Sequence, residues 1–126
     1  MQTILLVDYD PLQAILRKSV LERCFTNVCR VSDAADALCL VEQPRFADDL
    51  ALVVTGHRMP GIGGPAFVAE LTARLPRLPV LVLGAPQESA DDYPGASVHF
   101  RPRSIDSSEL VAVALQLAMK HQRTAA

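Results

Sequence analysis

Short, almost unbroken apolar runs return along this chain, and each is stopped by a charged residue or a turn. Thr3–Val7 reads TILLV and stops at Asp8; residues 50–54 read LALVV and stop short of Gly56; residues 79–83 read PVLVL and stop at Gly84. A strand with one wet face alternates apolar and polar residues, so a run that is apolar at every position needs cover on both faces. Helical segments lie between the runs. Asp10-Pro11 places a capping carboxylate before a proline at the first helical position, and Leu12, Ile15, Leu16 and Val20 then share one helical face. Asp33 opens a second helix with Ala34, Ala37, Leu38 and Val41 as its stripe and Pro44 just beyond it. Pro65 opens a third, lined by Phe67, Val68, Leu71 and Leu75. Asp106 with Glu109 forms a capping-box variant before a last helix carrying Leu110, Val113, Ala114, Leu117 and His121.

Two weaker strands, residues 28–31 and 97–100, complete the series, and the polar stretch 87–93 is closed by a Pro94-Gly95 turn. The order is βαβαβαβαβα. It predicts an α/β fold: a doubly wound, five-stranded parallel sheet with helices on both faces, in the flavodoxin-like order 2-1-3-4-5. A chain of 126 residues fits one domain, drawn over residues 1–122 with 123–126 as a frayed tail.

Composition narrows the function. Half of the residues are hydrophobic, which supports a packed core, and the net charge of -2 comes without any Lys/Arg cluster long enough to track a phosphate backbone. Direct nucleic-acid binding is therefore not expected. Cys24, Cys29 and Cys39 form no C-x-x-C and no zinc pattern with the nearby histidines, so they are read as buried free thiols. The chain enters its first strand without a signal-peptide pattern, and no apolar run approaches the roughly 20 residues that span a bilayer. The expectation is a cytoplasmic protein with no membrane association and no cofactor.

Ligands in doubly wound sheets sit outside the carboxyl ends of the strands. Those ends carry Asp8-Tyr9-Asp10, Gly56-His57-Arg58, Gly84-Ala85 and Arg101-Pro102. With ILLVDYDP, VTGHRMPGIGG, LPVLVLGA and FRP in that order, the chain resembles the receiver domain of bacterial response regulators along essentially its whole length.

The resemblance implies a phosphoryl-transfer switch. Family members hold Mg²⁺ with an acidic pair after strand 1 and an aspartate ending strand 3, which takes a phosphoryl group from a histidine kinase. A Thr or Ser after strand 4 and a Lys before a Pro in strand 5 bind the phosphoryl oxygens. Mapped onto this chain, Asp8 matches the first acid and Tyr9 replaces the second. Gly56 holds the acceptor position, Gly84 that of the Thr or Ser, and Arg101 that of the Lys. Residues 95–101 also run one position short, and Val98 stands where an aromatic switch residue often sits.

Glycine has no carboxylate to phosphorylate. A lone inward Asp8 is too little for a Mg²⁺ site, and Asp10 is better explained as a helix cap. The remaining Asp8 is expected to find its cation in Arg101, and Tyr9 to plug the vacated metal pocket with its ring. His57 is read as a loop or rim residue. The Gly61-x-Gly63-Gly64 run lacks the lysine of a phosphate loop and is read as turn geometry. His99 and His121 have no metal-ligand companions at useful spacing, and the serines at 104, 107 and 108 are accounted for by capping.

Residues 110–119 read LVAVALQLAM, an apolar cylinder where a surface helix needs only a stripe. In the resembled family the face of the fourth helix, fifth strand and fifth helix is a usual dimer or partner surface. Val98, Phe100, Leu110, Val111, Leu115, Ala118 and Met119 are accordingly assigned to an interface, with a histidine kinase, a response regulator or a second copy as partner.

Together these features point to a non-catalytic pseudo-receiver, a phosphorylation-independent interaction module in two-component phosphorelay signalling. Two other readings stay open. One is a small-molecule-binding flavodoxin-like domain using the glycines as close-approach backbone. The other is a residually active switch using Asp8, Asp10 or His57.

Overall fold

The computed structural model describes residues 2–85, 92, 93, 95 and 97–125, with the side chains of 122–125 excepted. Most of the polar stretch 87–93, and Pro94, lie outside the described residues. The elements run β1 (Thr3–Val7), α1 (Pro11–Leu21), β2 (Asn27–Val31), α2 (Ala34–Val41), α3 (Pro44–Asp49), β3 (Leu50–Gly56), α4 (Gly64–Arg74), β4 (Val80–Gly84), β5 (Val98–Pro102) and α5 (Ser107–Ala125). The strands form one parallel sheet in the order β2-β1-β3-β4-β5, as the apolar runs predict.

The continuous runs are explained by where their alternate residues go. Ile4, Leu6, Leu52, Val54, Leu81 and Leu83 enter one core layer with Leu21, Leu110, Ala114 and Leu117, residues of α1 and α5. Leu5, Val7, Val53, Val80 and Val82 point the other way and meet Ala37 and Val41 of α2 and Phe67, Val68 and Leu71 of α4. Each strand thus serves two cores, and a polar residue at either parity would be buried. Helix starts follow their caps. The Asp10 carboxylate accepts from the Leu12 and Gln13 N–H groups, Asp33 from Asp36, and Asp106 from Glu109.

Several expectations are corrected. On α1 the buried residues are Ala14, Arg17 and Leu21, whereas Leu12, Ile15 and Leu16 are 70%, 64% and 61% exposed. Pro44 does not merely follow α2; it opens the additional short helix α3. Cys24 and Cys39 are exposed and Cys29 is half-buried, so none is a fully buried thiol. The helix α5 runs Ser107–Ala125. Within α5, Leu110 and Ala118 lie in the core at 3% and 1% exposure, which removes both from the assigned interface. No helix among the described residues is long and apolar enough to cross a membrane.

His99, on β5 opposite Leu81, is half-buried. Burial first, then Arg101 and Lys120, holds its imidazole below the ordinary value of 6.5. The unfolded chain therefore takes up this proton more readily than the fold does. The His99 contribution is complete above about 6.5 and is lost as pH falls through the lower folded value. Urea unfolding is expected to show a midpoint that drops on acidification through this range, with a shallower drop in His99→Gln.

Candidate functional site

Strand register sets the site. Val7 pairs with Thr55, and Gly56 pairs with Leu83, so Asp8, Gly56 and Gly84 finish three adjacent strands at nearly one level. A cavity of about 350 Å³ opens there. Asp8, Tyr9 and Asp10 line it from the β1 end, and Gly56 and Arg58 from the β3 end. Gly84 and Ala85 line it from β4. Seven of the eight residues named from sequence are thereby brought together. Arg101 is the exception: it does not line the cavity, and its Nη1 donates to the Phe100 carbonyl at 2.9 Å.

The cation that meets Asp8 is Arg17, not Arg101. Its Nη1 donates to Asp8 Oδ2 at 3.1 Å, and the two side chains are 9% and 5% exposed. The other carboxylate oxygen, Oδ1, accepts from the Asp10 N–H at 3.0 Å. The Asp8 carbonyl is itself gripped by Arg30, whose Nε and Nη2 donate to it at 3.0 and 2.6 Å. Arg17 also reaches across the edge, with Nη2 donating to the Arg103 carbonyl at 3.3 Å, while the Arg103 N–H donates to the Gly84 carbonyl at 2.6 Å. One guanidinium therefore connects the end of β1 to the segment following β5. Burial pushes the Arg17 guanidinium down from its ordinary value; the Asp8 charge opposes this, and Arg103 adds to the lowering.

Magnesium needs several oxygen ligands in near-octahedral array, largely carboxylates and water. This edge does not supply them. Both Asp8 oxygens have donors, Asp10 Oδ1 is spent on helix capping, and Gly56 has no side chain. Among the described residues no group of three or more His, Cys, Asp and Glu side chains is placed to hold a metal ion. The residues present do not fit the ion.

Tyr9 does not plug the space. It borders the cavity but is 50% exposed, which leaves the volume open. His57 is more than a rim residue. It lines the cavity, and its Nδ1 is bonded to the Tyr93 hydroxyl at 2.5 Å, with the rings edge to face at 5.6 Å. Tyr93 is buried and lies 6.0 Å from the Phe100 ring of β5. Gly64 sits directly beneath this pair, where an added Cβ would strike the Tyr93 hydroxyl and the His57 carbonyl. Gly61, at φ 79°, occupies the left-handed turn that the loop needs.

Arg17, Arg30, Arg103 and Tyr93 were missed in the sequence. For Arg17 a signal existed: it stands three residues after Ala14 and four before Leu21, the two small or apolar residues that α1 buries. On the predicted interface, Val98, Phe100, Val111 and Leu115 are half-buried and Met119 is 51% exposed.

Compared with known proteins, the chain matches the family described as response regulator receiver domain over residues 4–98. It is 25% identical over 121 residues to a putative two-component response regulator of Arabidopsis thaliana, covering 95% of this chain and spanning 19% of that protein's length. Its fold matches the signal receiver domain of an HD domain-containing protein from Pseudomonas fluorescens Pf-5, with a TM-score of 0.82 and 22% identity over 98% of both chains. It likewise matches the receiver domain of the hybrid histidine kinase CckA, with a TM-score of 0.77 and 24% identity over 92% of this chain and 98% of that one. At these identities the solved structures establish the fold.

Two substitutions test the geometry. Arg17→Ala leaves the Asp8 charge buried without its cation and is expected to cost about 3 kcal/mol in urea unfolding, the lower end for such pairs because the backbone N–H bond remains. Adding Asp8→Asn to that variant should recover part of the loss. Gly64→Ala forces Tyr93 and the loop apart and is expected to cost about 1–3 kcal/mol, with the Tyr93 hydroxyl released from His57.

Proposed function

The chain belongs to the response regulator receiver domain family, and from that premise we propose that it is an atypical receiver, one that conveys information in bacterial two-component phosphorelay signalling by binding partners and not by accepting phosphate. The observation that carries the proposal is Gly56 at the end of β3, next to an Asp8 already held by Arg17. Phosphoryl transfer to a carboxylate needs the nucleophilic oxygen and a positive charge poised on the transferring group. Gly56 lacks the first. The guanidinium of Arg17 is committed to Asp8 and holds the edge together. The domain in this reading is not an enzyme and does not catalyse its own modification.

What is left to carry a signal is surface. On α5 and β5, Val98, Phe100, Val111, Leu115 and Met119 remain at or near the exterior, while Leu110 and Ala118 belong to the core. Val98 and Phe100 pack on the α2 and α4 side of the sheet; on the opposite side α1 packs against α5 and turns Leu12, Ile15 and Leu16 outward. Adjacent apolar side chains on two packed helices are the kind of patch that partner proteins cover. A histidine kinase, a response regulator or a second copy of the chain fits such a patch, and a net charge of -2 gives no pull toward nucleic acid.

Acetyl phosphate tests the central claim. After incubation with the reagent and Mg²⁺, intact mass is expected to show no phosphoryl adduct on the parent chain; an adduct would overturn the proposal. A Cβ at Gly56 would meet nothing nearer than the Arg58 carbonyl oxygen at 3.8 Å, so Gly56→Asp is expected to fold like the parent. It should acquire label only together with Tyr9→Asp, which returns the second carboxylate of the pair.

A further inference from the structure

A second cavity, of about 330 Å³, opens at the other end of the sheet, where the strands begin. Leu50, the first residue of β3, and Leu78, just before β4, are buried and line it together with the half-buried Ala47 and Leu75. Pro76, also in the lining, has no N–H to offer, and the Leu78 N–H is taken by the Leu75 carbonyl at 3.1 Å. Such a wall holds an apolar guest better than it holds water.

The charge around it has one sign. Arg74, Arg77 and His121 complete the lining, and among the described residues no Asp or Glu contributes to it. Arg74 is engaged by Glu70 at 2.6 Å and by Glu42 at 3.5 Å. Arg77 is exposed, and among the described residues no ion pair joins it to a carboxylate. Its carbonyl holds His121 in place: a carbonyl can only accept, so the imidazole Nδ1 donates to it, at 3.2 Å. Arg77 and His121 are shared with an adjoining cavity of about 190 Å³, which Lys120 lines and to which, among the described residues, no Asp or Glu contributes either.

An apolar hollow beside an uncommitted guanidinium suits a guest with an apolar tail and an anionic head. The parallel N–H donors of a guanidinium match the two oxygens of a carboxylate. The volume lies within the range of roughly 300–1,000 Å³ found for small-molecule sites. We infer that this amino-edge cavity binds a small amphipathic carboxylate, an aliphatic acid of medium chain length, with its tail against Leu50, Leu75 and Leu78 and its carboxylate on Arg77 beside His121. The site shares no residue with the carboxyl-edge cavity and stands whether or not that edge accepts phosphate.

Amide NMR on the full chain tests it, with octanoate as the probe and acetate and 1-octanol as comparisons. Octanoate, kept below its micelle concentration, is expected to give saturating shifts at residues 47, 50, 75, 77, 78 and 121. Acetate, which lacks the tail, and 1-octanol, which lacks the charge, should each bind about tenfold more weakly or worse. Arg77→Gln, a change at an exposed side chain, should weaken octanoate by about tenfold or more, the effect of losing a charge-assisted hydrogen bond, and leave 1-octanol unchanged. Absence of saturation, saturating shifts confined to the exposed face of α1, or octanoate binding that Arg77→Gln leaves unchanged overturns the inference. Binding of 1-octanol or acetate as tight as that of octanoate overturns it equally. A phosphoryl adduct in the acetyl phosphate experiment contradicts the preceding proposal alone, so the two fail separately.

Discussion

A buried carboxylate tolerates no vacancy opposite it, and at the edge of this sheet the Asp8–Arg17 pair meets that demand. Both charges are almost wholly removed from water, so each depends on the other and on the hydrogen bonds around them. Those bonds extend well beyond the pair. Through Asp8 the guanidinium is tied to β1; through the Arg103 carbonyl it is tied to the chain after β5, and Arg103 in turn is bonded to Gly84 at the end of β4. Arg30 adds a second clamp, on the Asp8 carbonyl. The loops that would otherwise repack freely around a glycine-rich floor are thereby fixed by charged groups supplied from α1 and β2.

Much of the architecture was legible because the signal is coarse and repeated. Runs such as TILLV and LALVV admit one environment, a strand covered on both faces, and the caps at Asp10, Asp33 and Asp106 mark helix starts wherever they occur. The orientation of α1 was not legible by the same means. Apolar bulk pointed to Leu12, Ile15 and Leu16, yet the fold buries Ala14, Arg17 and Leu21. The larger apolar side chains lose because Asp8 needs its cation, and only the face that carries Arg17 can deliver one. Electrostatic need overrode the apolar periodicity of the helix, and a count of apolar positions has no means of seeing that.

The site was legible in membership and less so in partnership. The strand-end residues were found because topology places them; Arg103 and Tyr93 were missed because nothing in their local sequence marks them. Tyr93 gains its role from distance. It lies 36 positions from His57 in sequence, and its hydroxyl nevertheless bonds that ring while its own ring leans toward Phe100. A continuous line of contacts thus runs from the cavity wall through His57 and Tyr93 to β5. Gly64 permits it, since any side chain there would displace the hydroxyl.

Arg17 is a counter-ion that never leaves. A diffusible metal fills its seat according to how much of it the surroundings hold, and gives the seat up on dilution or chelation. A guanidinium fastened to the same backbone is present at a local concentration set by its tether, so its occupancy ignores the composition of the medium. The polar edge of this fold is accordingly assembled once, during folding, and stays assembled through swings in ionic supply that would load and strip a mineral cofactor.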